Sequence, residues 1–176
     1  MLIVVLTRFN LLILHSHDKD GKVSSGSIGA SQVQRQWIGL SLTGDQATLE
    51  RLPDSPHQGA AGYLQAMDLE VSFLKRGVDV AEVYSADEMA KNFVTAFDGT
   101  MMTTDQLIVF EYHGQNLKGL VRSVNHLQVP GYPPSIMKRS GVVTRETDVT
   151  ILKSADSPIK IKSSGRKSVL CTNLKW

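Results

Sequence analysis

A chain of 176 residues with 41% hydrophobic and 20% charged residues is globular in composition, which excludes a disordered chain and leaves room for one ordinary domain or two small ones. Its single cysteine, Cys171, excludes an internal disulfide and fits a reducing compartment. The net charge of +2 hides an asymmetry: residues 1–117 carry 8 Lys/Arg against 14 Asp/Glu, and residues 118–176 carry 11 against 3, which points to a basic surface or tail for an acidic partner.

The first elements are two apolar runs, LIVVL and LLILHS, joined by TRFN. Both fall far short of the roughly 20 apolar residues of a membrane span, and Arg8 and Asn10 break the stretch. No basic region precedes them as in a signal peptide, so they read as two strands of a cytoplasmic-type protein without direct membrane insertion. HDKDGKVSSGS is loop by composition. WIGLSL and ATLERL look like strands around a TGD turn. Residues 53–62, PDSPHQGAAG, have two prolines, two glycines and no periodicity, and form the best linker candidate.

After it, MDLEVSF alternates Met67, Leu69, Val71 and Phe73 with Asp68, Glu70 and Ser72, the period of a half-buried strand. It ends in the basic turn LKRG. A helix over 85–98 follows: Ser85 caps it with Glu88 reaching back, Met89, Phe93, Ala96 and Phe97 form its apolar stripe, and Asp98-Gly99 stops it. QLIVFEY and LKGLVRSV flank HGQN as a hairpin, and YPPS is a rigid loop. GVVTRETDVTIL reads as a second hairpin with Val142-Val143 and Val149–Leu152 as arms. The fold class is mainly β with one helix, in two β-rich parts: residues 1–52, the linker 53–62, residues 63–162, and a basic tail 163–176.

Catalytic chemistry is not legible. SGRKS at 164–168 lacks the Gly-Lys-Ser/Thr of a phosphate loop and the glycine that should precede it. His15 and His17 would share a strand face as a metal pair, yet Asp18 and Asp20 lie in a turn and no distant third ligand is apparent. Cys171 has no histidine near it in sequence. No catalytic, cofactor-binding or metal residue is therefore assigned. Basic residues are the better signal. Arg35, Lys75 and Arg76 each stand beside a structural anchor, Trp37 or the Leu74 and Gly77 turn. Lys160, Lys162, Arg166 and Lys167 support an alternative, a nucleic-acid-binding β-barrel, although no aromatic residues interleave them to stack bases.

The order of these blocks resembles the N-terminal domain of NSF, the N-ethylmaleimide-sensitive fusion ATPase. GSIGASQVQRQWIGLSL is similar to its Gly-Ser/Thr-Ile-Gly…Gln-Arg-x-Trp-x-Gly-x-Ser-Leu signature. MDLEVSFLKRG, SADEMAKNFVTAF, LIVFEYHGQNLKGLVRSV and GVVTRETDVTI follow in the family's order, from about residue 23 to about 162. The resemblance implies a double-psi β-barrel subdomain, N-terminally incomplete here, and a smaller β-rich subdomain carrying the helix. It implies a non-catalytic domain that binds the acidic end of a SNAP adaptor and, through it, SNARE complexes, in the cytoplasm beside Golgi and vesicle membranes, with no nucleic-acid partner. ATP, Mg and homohexamer formation belong to ATPase modules that this sequence does not contain, so the chain looks like an N domain alone or a truncated gene model. By position, Arg35 matches the motif arginine and Lys75 and Arg76 the basic pair, the expected SNAP contacts. Trp37 is assigned to packing, with truncation costing about 3–5 kcal/mol if it is fully buried. Arg35 would reach the groove between subdomains if residues 29–36 are a loop, which the resemblance favours.

Overall fold

The computed structural model describes residues 2–6, 10–14, 24, 27, 29–41, 50–51, 62–75, 77–78, 81–131 and 138–162. Within 2–14 and 50–51 the description is of backbone pairing alone. The two apolar runs are strands as expected: β1 (Leu2–Leu6) and β2 (Asn10–Leu14) pair antiparallel, with Leu2 opposite Leu14. The other edge of β1 takes β3 (Glu50–Arg51), also antiparallel.

Between β2 and β3 the expectation of strand and loop is corrected. Residues Gln32–Ile38 form a helix, α1, so Trp37 and Ile38 of WIGLSL are helical and the described fold has two helices rather than one. The local chemistry explains it. Ser31 accepts from the Gln34 N–H and the Gln34 side chain accepts from the Ser31 N–H, a closed capping box. Gly39 then ends the helix in the left-handed region at φ 73°, returning the Leu40 N–H to the Arg35 carbonyl.

The second part is built on a four-stranded mixed sheet, β10 (Asp148–Lys153), β4 (Leu64–Phe73), β8 (Gln115–His126) and β7 (Leu107–Tyr112), in that order. The alternation of β4 holds as read: Met67, Leu69, Val71 and Phe73 are buried, while Asp68, Glu70 and Ser72 are half-buried. β7 and β8 form the expected hairpin through His113-Gly114, whose φ values of 50° and 71° are the two positive angles a two-residue turn of this hand needs. The second expected hairpin is not one. β9 (Ser140–Val142) pairs antiparallel with β6 (Met101–Thr103), whereas β10 pairs parallel with β4, Ile151 opposite Leu69. The two valine-rich arms thus go to different sheets. A short parallel ribbon of β5 (Val83–Ser85) and β11 (Lys160–Lys162) completes the set.

α2 (Ala86–Ala96) confirms the expected helix within a residue or two at either end. Ser85 accepts from the Glu88 N–H, and Asp87 and Glu88 complement the positive helix start. Of the reciprocal cap only this half forms. The Glu88 carboxylate instead accepts from the Tyr112 hydroxyl at 3.5 Å. Met89 and Phe93 are fully buried, and Phe93 packs edge-on to Phe110 of β7 and against Phe97. The core lies between α2 and the inner face of this sheet. At its centre Gly119 of β8 leaves room for two neighbours: a Cβ there would lie 2.9 Å from Leu69 Cδ1 and 3.0 Å from Ile108 Cγ1. YPPS, the tail 163–176 and residues 53–61 of the linker lie outside the described residues.

Candidate partner-binding site

The cations singled out by sequence occupy two elements around the β7–β8 hairpin. Arg35 sits in the middle of α1, and α1 lies against β7. Its side chain is half-buried, and Nη1 donates to the Ala30 carbonyl at 2.7 Å. Instead of reaching out from a loop, the guanidinium is folded back over the start of its own helix. One reason is the capping box, which places the Ala30 carbonyl beside the first turn.

Lys75 stands two residues beyond the end of β4, where the Leu74 N–H donates to the Asn116 carbonyl of β8. Lys75 is exposed and has no hydrogen bond or ion pair among the described residues. Arg76 lies outside the described residues. The structure thus puts Arg35 and Lys75 near strands of one hairpin, and no direct bond joins them. Trp37 is half-buried and not fully enclosed; the residue of α1 that enters the interior is Ile38, 5% exposed. The cost of truncating Trp37 accordingly falls below that of a fully buried aromatic.

Around the hairpin tip the aromatic side chains are closely associated. Tyr84 packs edge-on to Phe73, Tyr112 and His113, and the His113 ring stacks on Tyr112 at 4.2 Å. His113 Nδ1 meets Glu82 Oε1 at 2.7 Å, tying the tip to the segment before β5. Burial, with Glu82 adding to it, pushes the Tyr84 hydroxyl above the usual phenol range; burial and then Glu88 do the same for Tyr112. On the outer face of the sheet, a hydrogen bond from the Ser154 side chain and the Arg122 guanidinium hold Glu70 below the ordinary carboxylate range against the effect of burial.

Among the described residues no group of three or more His, Cys, Asp or Glu converges as a metal site, and no helix is long and apolar enough to cross a membrane. The His15/His17/Asp18/Asp20 cluster, the 164–168 segment and Cys171 lie outside the described residues.

Comparison with known proteins bears out the family resemblance. The chain is 29% identical over 168 residues to the vesicular-fusion protein SEC18 of Saccharomyces cerevisiae, covering 92% of this chain and 21% of that protein. It is 30% identical over 145 residues to sec18 of Schizosaccharomyces pombe, 79% of this chain and 18% of the relative. It is 26% identical over 141 residues to the vesicle-fusing ATPase of Arabidopsis thaliana, 80% of this chain and 18% of the relative. In each case the match falls on the relative's N-terminal part. The chain spans about a fifth of the length of the curated relatives it matches. No family model matches it.

Proposed function

We infer that this chain, similar over most of its length to the N-terminal part of the SEC18/NSF vesicular-fusion proteins, is the adaptor-binding N domain of such an ATPase. In this reading it is non-catalytic. It docks on the acidic end of a SNAP adaptor and so couples SNAP–SNARE complexes to ATP-driven disassembly in ER–Golgi and other vesicle traffic. Its place is the cytoplasm, peripheral to Golgi and vesicle membranes, and its fold a double-psi β-barrel subdomain followed by the β-rich one. ATP, Mg and the hexamer belong to the family's ATPase modules.

The observation that carries the reading is the breadth of the match, most of this chain against one end of proteins named for vesicle fusion. Lys75, exposed and without a hydrogen bond or ion pair among the described residues, supports the contact assignment, because a rim cation mainly raises the on-rate and steepens the salt dependence of an acidic partner. The test is a pull-down of a SNAP adaptor by the chain carrying Arg35→Glu or the pair Lys75→Glu/Arg76→Glu. Binding should fall by about tenfold or more at moderate salt for each. The melting temperature of the Lys75/Arg76 variant should not change. Arg35 also holds Ala30, so the Lys75/Arg76 pair gives the cleaner reading. Unchanged binding in both variants overturns the contact assignment.

A further inference from the structure

The turn that carries Lys75 begins where β4 stops, and the two sides of β4 stop differently. On the β8 side the Leu74 N–H donates to the Asn116 carbonyl. On the other side β10 ends at Lys153, opposite Val71, and the Ser154 N–H just beyond it donates to the Val71 carbonyl. Backbone groups along a strand point alternately to its two neighbours. With Leu74 turned to β8, the Phe73 N–H therefore points to the side that β10 has left.

A side chain takes the place of the missing rung. After Lys153 the chain turns, with the Ser157 N–H donating to the Ser154 carbonyl at 3.2 Å. The Ser157 hydroxyl oxygen then accepts from the Phe73 N–H at 3.3 Å and from the Ile159 N–H at 3.4 Å. Both lone pairs of that oxygen are in use. Ser157 and Ile159 are buried, while Asp156 and Pro158 are exposed, so the fold turns this hydroxyl inward from an otherwise solvated bend. Phe73 is buried too, and a buried N–H that loses its acceptor is a net cost. The far side of the turn has its own ties: Val78 packs against the core, and Glu82 meets His113 at 2.7 Å.

We propose that Ser157 is a positioning residue for the basic turn: its hydroxyl completes the ladder at Phe73 and fixes the backbone from which Lys75 projects. The inference rests on the adaptor-binding reading. It gives a role to a residue 84 positions from Phe73 in sequence, which acts through that strand end and not by contact with the partner. A turn held in place before docking has less freedom to lose on docking, so removing the hold weakens binding while every charge stays.

The test uses the whole chain, isotope-labelled, and compares Ser157→Ala with Ser157→Thr, which keeps the hydroxyl. Amide hydrogen exchange reads the turn, and fluorescence anisotropy with a SNAP adaptor reads binding. For Ser157→Ala the Phe73 and Leu74 amides should exchange faster by at least about fivefold, with those of Leu69 and Val71 unchanged. Adaptor binding should weaken by about three- to tenfold with an unaltered salt dependence, and Ser157→Thr should stay near the parent in both readouts. In a Lys75→Gln/Arg76→Gln background the same Ser157→Ala change should weaken binding by less than about twofold, because its effect runs through the cations of the turn. Equal weakening in the two backgrounds, or faster exchange along the whole of β4 with a lower melting temperature, overturns the proposal in favour of a purely structural serine. Unchanged exchange at Phe73 and Leu74 overturns the hold on the turn, and faster exchange there with unchanged adaptor binding overturns its link to docking. A parent chain that binds no adaptor overturns the adaptor reading instead, and the exchange pattern still decides whether Ser157 holds the turn.

Discussion

Tyr84 carries the one buried side-chain polar atom without a hydrogen bond among the described residues, its hydroxyl. The ring around it is well used, with edge contacts to Phe73, Tyr112 and His113. A buried hydroxyl that has left water and found no partner is a net cost, while the ring contacts are a gain. Tyr84→Phe keeps the ring and removes the cost. We expect thermal unfolding to show it unchanged or more stable by about 1 kcal/mol; a loss of stability would mean that the hydroxyl has a partner. Arg35 shows the opposite case at the same scale. The sequence marks its side chain as a contact, and the structure partly commits it to the Ala30 carbonyl.

At the scale of elements, Gly119 determines how closely β4, β8 and β7 pack. Its added Cβ would press on Leu69 and Ile108, both buried, so Gly119→Ala should destabilise the chain by about 1–3 kcal/mol in chemical denaturation. No change in midpoint would show that these side chains move aside freely. The same sheet shows which elements the sequence makes legible. β4 and α2 could be read because each satisfies a local rule over many residues, strict alternation in one and a cap with a 3.6-residue stripe in the other. The β7–β8 hairpin could be read because its turn is two residues long. α1 could not, because WIGLSL alternates like a strand, and the deciding feature is the bond pair between Ser31 and Gln34, ahead of the apolar run. β10 is legible as a strand while its partner is not, since nothing local in DVTILK names β4 as its neighbour.

The whole molecule should lose stability at both extremes of pH. Glu70 is held below its ordinary value, so its contribution is present above the usual carboxylate range and is lost as pH falls through and below it. Tyr84 and Tyr112 are raised, so the unfolded chain gives up those protons first, and their contribution is lost as pH rises above about 10. Melting curves across the pH range should therefore fall on both sides. Ser154→Ala should cost stability at pH 7, and the cost should shrink as the pH is lowered through the range in which Glu70 takes up its proton. A cost that does not change with pH would show that the Ser154 bond does not act through that carboxylate.

The parallel pairing of β10 with β4 has a consequence for how the chain comes into being. Thr147, just before β10, donates to the Leu64 carbonyl at the start of β4, 83 residues earlier. During synthesis, at about 5–20 residues per second, β4 leaves the ribosome roughly 4–17 s before its parallel partner exists. Through that interval the edge of β4 that will take β10 stays open, because β8 covers only the opposite edge, and the nascent protein carries an unpaired strand edge that another chain could find.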